Sequence, residues 1–264
     1  MTKTELLNKC AQNDEERILL ARVLDKLDMA HNRGVPACTP FLSAGERTSV
    51  EALLNASGHP RHLFFGGYEG AERTVCAFLP DWQEEEDWRD GDCPVSALRC
   101  TFQEDAPLSH RDFLGSILGL GITREKLGDL LVSPGVCDVI VLKEIEDFLL
   151  LNLDGAGRTK CKVKPIALTE ICPKPPEVKT IKDTVATLRL DAVAATAFSL
   201  ARSKAADIIS SGKLQLNHRE CVKPDKQVAE GDVLSCRGMG KCVVKSAGKL
   251  SKKGRIMIEL ERYI

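Results

Sequence analysis

Two groups of basic residues in the last third of the chain have the residue types and spacing needed to hold a phosphate. Arg189 begins one helical pattern, and Arg202, Ser203 and Lys204 begin the next. A helix N-terminus offers backbone N–H groups without intrahelical partners, and the positive end of the helix dipole favours anions. Arginine and lysine at the same place add full charges, so the pattern indicates phosphate binding. A solvated basic surface without a ligand is the competing interpretation, and residue types alone leave both open.

The sequence offers no comparable pattern for catalysis or metal binding. It has no G-x-x-x-x-G-K-[ST] loop, no G-x-G-x-x-G after a strand and no G-x-S-x-G elbow. His59 and His62 are separated by Pro60 and have no nearby carboxylate or cysteine to complete a ligand set. None of the 11 cysteines belongs to a C-x-x-C pair, which favours small, buried, reduced thiols. We therefore predict no catalytic residue, no metal, no cofactor and no small-molecule substrate.

Charge is distributed unevenly along the chain although the formal net charge is only -1. Residues 179–264 carry 17 Lys plus Arg against 9 Asp plus Glu, whereas residues 1–178 carry 20 against 29. A basic C-terminal segment on an acidic body is typical of a module that binds a polyanion.

Composition places the chain among globular proteins. Its 264 residues are 43% hydrophobic and 28% charged, which argues against disorder and fibrous classes. Apolar stretches are too short to cross a bilayer, and the charged start of the chain does not resemble a signal peptide. We expect no membrane insertion and a cytoplasmic location.

The positioning elements begin with an N-terminal helical and hairpin domain over residues 1–72. The spacing predicts a helix from Asp14 to a glycine stop at Gly34, and Ser43 with Glu46 forms a capping box for a second helix. A hairpin follows, and it is completed after Arg73. The acidic stretch Asp81 to Asp92 predicts an exposed loop, because so many like charges oppose packing.

A central domain over residues 73–168 follows the order strand, strand, helix, strand, strand, helix, strand. This order predicts an α/β plait with RRM-like topology in a protein of the α+β class. Its strand Leu127 to Val132 lacks the aromatic side chains on which RNA bases stack, so we assign it no base readout. Arg111, Arg124 and Lys126 are candidates for a second RNA surface, although Arg111 is equally explained as an exposed residue of a helical first turn.

A Pro-rich linker over residues 169–182 precedes the basic module, which spans residues 183–264. Three prolines in Cys172 to Pro176 block both helix and central strand. In the module, two short helices, with Ser203 as a cap of the second, pack on a small sheet. A basic hairpin follows, with Arg237 and Lys241 near its start and further cations at its tip, namely Lys245, Lys249, Lys252, Lys253 and Arg255.

The basic module closely resembles the S-four (αL-type) RNA-binding domain. The resemblance is carried by RLDAVAATAFSLARSKAADIISSGKLQLNHRECVKPDKQVAEGDVL, residues 189–234. It implies that the phosphates and shape of a folded RNA are contacted by Arg189, Arg202, Ser203 and Lys204, flanked by Lys213. Two positions depart from the family pattern: Asn217 is followed by His218 rather than glycine, and Lys204 replaces the usual arginine.

Three further strings resemble the YlmH family of bacterial ribosome-associated proteins, and this similarity covers nearly the whole chain. The strings are FFGGYEGAER, LSHRDFLGSILGLGITREKLGDLLV and SCRGMGK. The resemblance implies a non-catalytic protein whose partners are rRNA and tRNA on the large ribosomal subunit, with a role in rescue and quality control of stalled ribosomes. Two alternatives remain open: an interaction protein of the cell-division machinery, and an rRNA-modifying enzyme.

Overall fold

The computed structural model describes residues 2–174, 177–252 and 254–263. The chain divides into two compact units, residues 1–174 and residues 175–264, which are described separately below. No helix in the described ranges is both long enough and apolar enough to span a membrane. The predicted linker prolines Pro175 and Pro176 and the predicted basic residue Lys253 lie outside these ranges.

The first unit begins with helices packed on a small sheet. Asn13 caps its long helix through its side-chain oxygen, and Gly34 ends it in the left-handed conformation at φ 65°. Ser43 and Glu46 form the predicted capping box of the next helix. The elements are α1 (Lys3–Cys10), α2 (Asp14–Arg33), β1 (Ala37–Cys38), α3 (Ala44–Ala56), β2 (Leu63–Phe65) and β3 (Val75–Phe78), with the strands in the order β1-β3-β2.

Most of the acidic segment after β3 is helical, so the prediction of a loop over Asp81 to Asp92 is wrong from Glu85 onward, whereas the prediction of exposure holds for all of its carboxylates. A short helix, α4 (Glu85–Asp87), runs into a π-helical turn, Trp88–Asp92. Trp88 is completely buried, and its ring lies edge-on to that of Phe65 with the centroids 6.0 Å apart. Burial of this indole stabilises the segment, while its carboxylates remain exposed on the outer side.

The centre of the first unit is a four-stranded antiparallel sheet. Its elements are β4 (Val95–Thr101), α5 (His110–Gly119), β5 (Leu127–Ser133), β6 (Val136–Leu142), α6 (Glu146–Asn152), the short hairpin β7 (Gly155–Ala156) and β8 (Thr159–Lys160), and β9 (Lys162–Ile166). The 3-10 turns Arg124–Lys126 and Lys143–Ile145 precede β5 and α6, and a third, Leu168–Glu170, follows β9. The strand order is β5-β6-β4-β9, and the chain order of long strands and helices is β-α-β-β-α-β. This matches the predicted order except for its first strand, β3, which belongs to the N-terminal sheet.

The two faces of this sheet are covered by different parts of the unit. Leu98 and Cys100 of β4 point to one face, where they pack with Phe113 of α5 and Leu149 of α6. Residues of the opposite face pack against the N-terminal part of the unit; these are Val95, Ala97, Ile140, Leu142 and Ile166, which join Phe41, Val75, Ala77 and Trp88. The N-terminal elements therefore cover part of the sheet face that lies opposite the helices.

The boundary expected between residues 72 and 73 falls inside one sheet. Strands β2 and β3 lie on either side of it and pair directly, with Phe65 opposite Val75 and Leu63 opposite Ala77. Ala77 also belongs to the same buried cluster as Ala97 of the central sheet. A continuous core therefore joins the two expected domains.

The second unit is a six-stranded sheet with two short helices. Its elements are β10 (Val178–Val185), α7 (Leu190–Ala197), α8 (Arg202–Ser210), β11 (Leu214–Leu216), β12 (Arg219–Glu220), β13 (Val233–Cys236), β14 (Gly240–Leu250) and β15 (Ile256–Tyr263). The strand order is β10-β15-β14-β13-β11-β12. The core lies between helices and sheet, with Leu190, Val193, Ile209, Leu234 and Leu260 among its most buried side chains.

The second half of the expected linker is ordered strand. Residues 178–182 belong to β10, which pairs antiparallel with β15 from Val178 opposite Tyr263 to Val185 opposite Ile256. The prolines stop at residue 176, and the following segment, rich in valine, threonine and isoleucine, favours a strand.

Candidate nucleic-acid interface

Asp191 joins the two arginines that the sequence singles out. Arg189 donates from Nε and Nη2 to the two carboxylate oxygens of Asp191, at 3.3 and 3.1 Å. Arg202 donates from Nη2 to the same two oxygens, at 3.1 and 3.2 Å. The Asp191 side chain is only 7% exposed, whereas those of Arg189 and Arg202 are 37% and 52% exposed. Three charged groups thus form one cluster whose cationic members reach the surface.

Local backbone contacts hold the start of α7 in place. The amide of Leu190 donates to the carbonyl of Lys226 at 2.8 Å, and the amide of Asp191 donates to that of Pro224 at 2.9 Å. Arg189 and Gln227 form an isolated antiparallel bridge. First-turn amides of α7 are therefore satisfied by the segment 224–227.

Electrostatics keeps Asp191 ionised. Burial alone would raise its pKa, but the hydrogen bonds and charges of Arg189 and Arg202 outweigh burial and hold the pKa below its ordinary value. The same contact with Asp191 raises the pKa of Arg189. With Asp191 ionised, one of the two arginine charges is balanced and one positive charge remains available to a ligand.

Ser203 and Lys204 lie exposed in the first turn of α8. The expectation that Ser203 caps this helix is wrong. Ala201 occupies the N-cap position, and no side chain in the described part of the chain caps the helix. The lack of a side-chain cap leaves the first turn open toward an anion. The Lys204 ammonium makes no ion pair with any residue that the structure describes.

Lys213 and Arg237 are brought together by the sheet. The amide of Arg237 donates to the carbonyl of Lys213 at 3.1 Å, and both residues are exposed. Lys241 lies farther along the β13–β14 hairpin, where its ammonium is 4.5 Å from the centroid of the Tyr263 ring. This cation–π contact orients Lys241. The predicted residues of the second unit therefore include two local groups, one around Asp191 and one at the start of the β13–β14 hairpin.

The turn after β11 keeps its left-handed geometry despite the missing glycine. Asn217 and His218 have φ values of 51° and 63°, as a two-residue type I′ turn requires. Asn217 donates through Nδ2 to Asp232 and accepts through Oδ1 from the amide of Val233, each at 2.8 Å. These contacts fix the turn, so the departure from the family pattern leaves the hairpin intact.

The tip of the long β14–β15 hairpin is less free to bind a ligand than its composition suggests. Arg255 donates to both Oγ1 and the carbonyl of Thr184, and Lys245 pairs with Glu261. Lys249 and Lys252 are exposed.

The three residues proposed for a second RNA surface differ in how far their charged groups are already engaged by other parts of the protein. Arg124 donates from Nη1 to the carbonyls of Leu127 and Gly128, at 3.2 and 3.1 Å. Burial and the nearby Arg73 lower the pKa of Arg124. Lys126 pairs with Glu144 at 3.3 Å, while Arg111 is exposed in the first turn of α5. Arg124 therefore supports the local fold of the 3-10 turn and β5.

Asp129 is the centre of a network that the sequence did not reveal. Its carboxylate accepts from the hydroxyl of Tyr68 at 2.7 Å and from the amides of Glu72 and Arg73 at 2.8 and 3.1 Å. Arg73 in turn donates to the carbonyls of Leu127 and Phe41 at 2.8 and 3.1 Å. Burial and the hydrogen bond to Asp129 raise the pKa of Tyr68. The glycine-rich loop around Tyr68 is thereby tied to β5.

The shared role of Asp191 was also missed from the sequence. The R-L-D opening at residues 189–191 contains this carboxylate, but no local pattern in the sequence pairs it with Arg202. Its contact with Arg202 spans 11 positions and depends on how α7 packs against α8.

Comparison with known proteins places these features in context. Residues 101–170 match the family model described as the putative RNA-binding domain in YlmH. Over 249 residues the chain is 28% identical to the "Ribosome-associated protein quality control protein P2" of Bacillus subtilis (strain 168), which covers 94% of this chain and 95% of that protein. The "Cell division protein ylmH from Streptococcus pneumoniae" has a similar fold, with a TM-score of 0.52 at 19% identity over 61% of this chain and 96% of that one.

Proposed function

We propose that the chain is a member of the YlmH family and a non-catalytic RNA-binding protein that associates with the ribosome in the cytoplasm. In this proposal it binds rRNA and peptidyl-tRNA on the large subunit during rescue and quality control of stalled ribosomes. The name of the Bacillus subtilis relative and the RNA-binding family model over residues 101–170 both support ribosome-associated RNA binding.

One observation carries the proposal: a buried carboxylate positions two surface arginines. Asp191 holds Arg189 and Arg202 at the starts of α7 and α8, and the exposed Lys204 lies in the first turn of α8. Arginines fixed in this way lose little side-chain freedom on meeting a phosphate. The arrangement suits recognition of a folded RNA by its backbone rather than by its base sequence.

The fold is consistent with this assignment. We propose that α7, α8 and the strands β11 to β13 form an S-four domain and that the β-α-β-β-α-β unit is an RRM-like plait. On this interpretation residues 1–72, 73–168 and 183–264 are three functional segments. The first two share a continuous core, and the last forms the second compact unit together with β10.

The enzyme alternative is disfavoured by the surroundings of Asp191. A catalytic carboxylate in an rRNA-modifying enzyme has to approach the substrate base, yet this side chain is buried and both of its oxygens accept hydrogen bonds from arginines. Its position instead suits a structural carboxylate that orients the two cations.

A role in cell division remains the second candidate, because the similar Streptococcus pneumoniae structure is named a cell division protein. The acidic first unit would then present a surface to a protein partner. One protein could bind both the ribosome and a division partner. Ribosome association therefore has to be measured directly.

The proposal is tested by sedimentation of a lysate at low and high salt. We expect the wild-type protein to travel with large subunits at low salt and to dissociate at high salt, because phosphate contacts release counterions. Lys204→Ala should shift that dissociation to lower salt, whereas Lys9→Ala, a matched exposed lysine on α1, should not. A protein that stays at the top of the gradient at both salts would overturn the proposed function.

A further inference from the structure

Half of one face of the four-stranded sheet, the open half, is covered only in part: Thr101, Lys162 and Lys164 are exposed, whereas Asp138 is buried and Leu131 packs against the neighbouring core. Across the open half, the paired residues form two rows, one of Leu131, Asp138, Arg99 and Lys164 and one of Ser133, Val136, Thr101 and Lys162. Directly opposite residues of paired strands share a face. This face is the one that carries Ala97 and Ile140, which are covered by the N-terminal elements, so the open half continues outward from that core.

The open half has a positive edge. Lys162 and Lys164 of β9 are both exposed, and neither forms an ion pair with the described residues. Alternation along the strand places their side chains on the same face, about 6.6 Å apart. Val163, between them, faces the helices and packs against their core.

Beside the lysines, Arg99 is held firmly by an acidic neighbour. Its Nε and Nη2 donate to the two carboxylate oxygens of Asp138, each at 2.7 Å, and Nη2 also donates to the carbonyl of Glu170 at 3.0 Å. Asp138 balances the charge of Arg99, so the excess charge of this half comes from the two lysines. The exposed Lys174 adds to it, since Lys174 and Arg99 line the same cavity of about 430 Å³.

We propose that this open half-face, with Lys162 and Lys164 as its principal contacts, binds the phosphodiester backbone of RNA. The inference rests on the proposed function and adds a second, separate RNA contact in the first unit. None of the eight residues of the two rows is aromatic. Base stacking therefore contributes nothing here, and recognition is electrostatic and independent of sequence.

Protection of a sheet edge is the competing explanation for these lysines. β9 lies at the edge of its sheet, and charged residues and Pro165 on an edge strand oppose pairing with another chain. That explanation predicts aggregation after substitution but unchanged RNA binding. The two explanations therefore differ in a measurable quantity.

The test uses the full chain and two variants that each lose two positive charges. K162Q/K164Q changes the half-face, and K9Q/K143Q removes two exposed lysines elsewhere in the first unit. The probe is an unstructured oligouridylate of about 12 nucleotides, a length within the usual range for single-strand sites. Affinity is measured over a series of salt concentrations, with circular dichroism and sedimentation velocity to establish fold and monodispersity.

We expect K162Q/K164Q to weaken binding about tenfold near 0.1 M salt and to reduce the slope of log K against log salt by about 1.4, as loss of two single-strand phosphate contacts requires. K9Q/K143Q should retain the wild-type slope. An unchanged slope in K162Q/K164Q, with or without aggregation, would overturn the inference. In that case, loss of binding in Lys204→Ala would leave the proposed function standing, whereas a wild-type chain that ignores both oligouridylate and ribosomal subunits would overturn both.

Discussion

The Arg202 guanidinium donates through Nη2 to both carboxylate oxygens of Asp191, at 3.1 and 3.2 Å, and so connects the starts of α7 and α8. Arg189 reaches the same carboxylate from the other helix start. One buried acid thus fixes the positions of two surface cations, and the arginines proposed to contact RNA depend on a carboxylate that is itself buried.

Asp191→Asn should therefore affect stability and binding together. The amide retains the shape of the side chain but loses the charge that holds Arg189 and Arg202, so we expect a loss of about 2 kcal/mol in the free energy of unfolding. Urea unfolding measures this loss. A variant as stable as the wild type would show that the arginines do not depend on the carboxylate.

Acid should weaken the same cluster. The folded-state pKa of Asp191 is below its ordinary value of 3.8, so the stabilisation from its ionised form is complete above that value. The contribution is lost as the pH falls below about 4 and through the lowered folded-state pKa. Unfolding measured between about pH 2 and pH 6 should show a smaller acid-induced loss for Asp191→Asn than for the wild type, because the variant has no such proton to bind. Parallel pH dependences of the free energy of unfolding in the two proteins would contradict a lowered pKa for Asp191.

Lys204→Ala and Arg202→Ala should separate the contribution of this surface to RNA binding from its contribution to the stability of the fold. Lys204 has no described ion-pair partner, so its loss should reduce the salt slope of binding to tRNA by about one unit and leave unfolding unchanged. Arg202→Ala should also reduce the slope, but it should lower stability as well because it removes a partner of Asp191. Equal stability of the two variants would contradict the distinction.

The Asp129 network should contribute measurably to the first unit. Asp129→Ala leaves the amides of Glu72 and Arg73 and the Tyr68 hydroxyl without their acceptor, and we expect a loss of about 3 kcal/mol. Tyr68→Phe removes a single hydrogen bond and should cost about 1 kcal/mol. Urea unfolding of both variants measures the two losses in the free energy of unfolding. A larger loss for Tyr68→Phe than for Asp129→Ala would show that the amides find other partners.

Cysteine labelling should be selective. Cys172 is exposed, whereas six of the other thiols are buried. Burial raises the pKa of Cys100 to about 12 and that of Cys242 to about 11, so their thiolates are scarce at neutral pH. Maleimide followed by peptide mass spectrometry should modify Cys172 first in the folded protein. Equal early labelling of Cys100 would contradict the burial of the central core.

Local signals predicted the elements better than the contacts between them. The capping box of Ser43, the glycine stop at Gly34 and the β-α-β-β-α-β order are all present, because each depends on a few neighbouring residues. The segment around Trp88 was predicted as a loop because its many acidic residues oppose packing. The helical form is stabilised by burial of the Trp88 indole against Phe65, which is distant in sequence. Local patterns do not report such distant partners.

The candidate site shows the same limit. The sequence identified Arg189, Arg202 and Lys204 through the family resemblance, and all three lie at or near a helix start. It did not identify Lys162 and Lys164, because their significance depends on a sheet face that is covered only in part. It also overestimated Arg124, whose guanidinium is occupied by backbone carbonyls that only the fold brings close.

Strands β10 and β15 are the first and last of the second unit, and they pair along eight positions. Residues 186–255 separate the two strands, so a nascent chain contains β10 long before its partner β15. A chain that stops short of β15 would leave β10 without a partner and β14 with an open edge. The native sheet of this unit therefore forms only after β15 has been made, and loss of that one strand would leave two others unpaired along one edge.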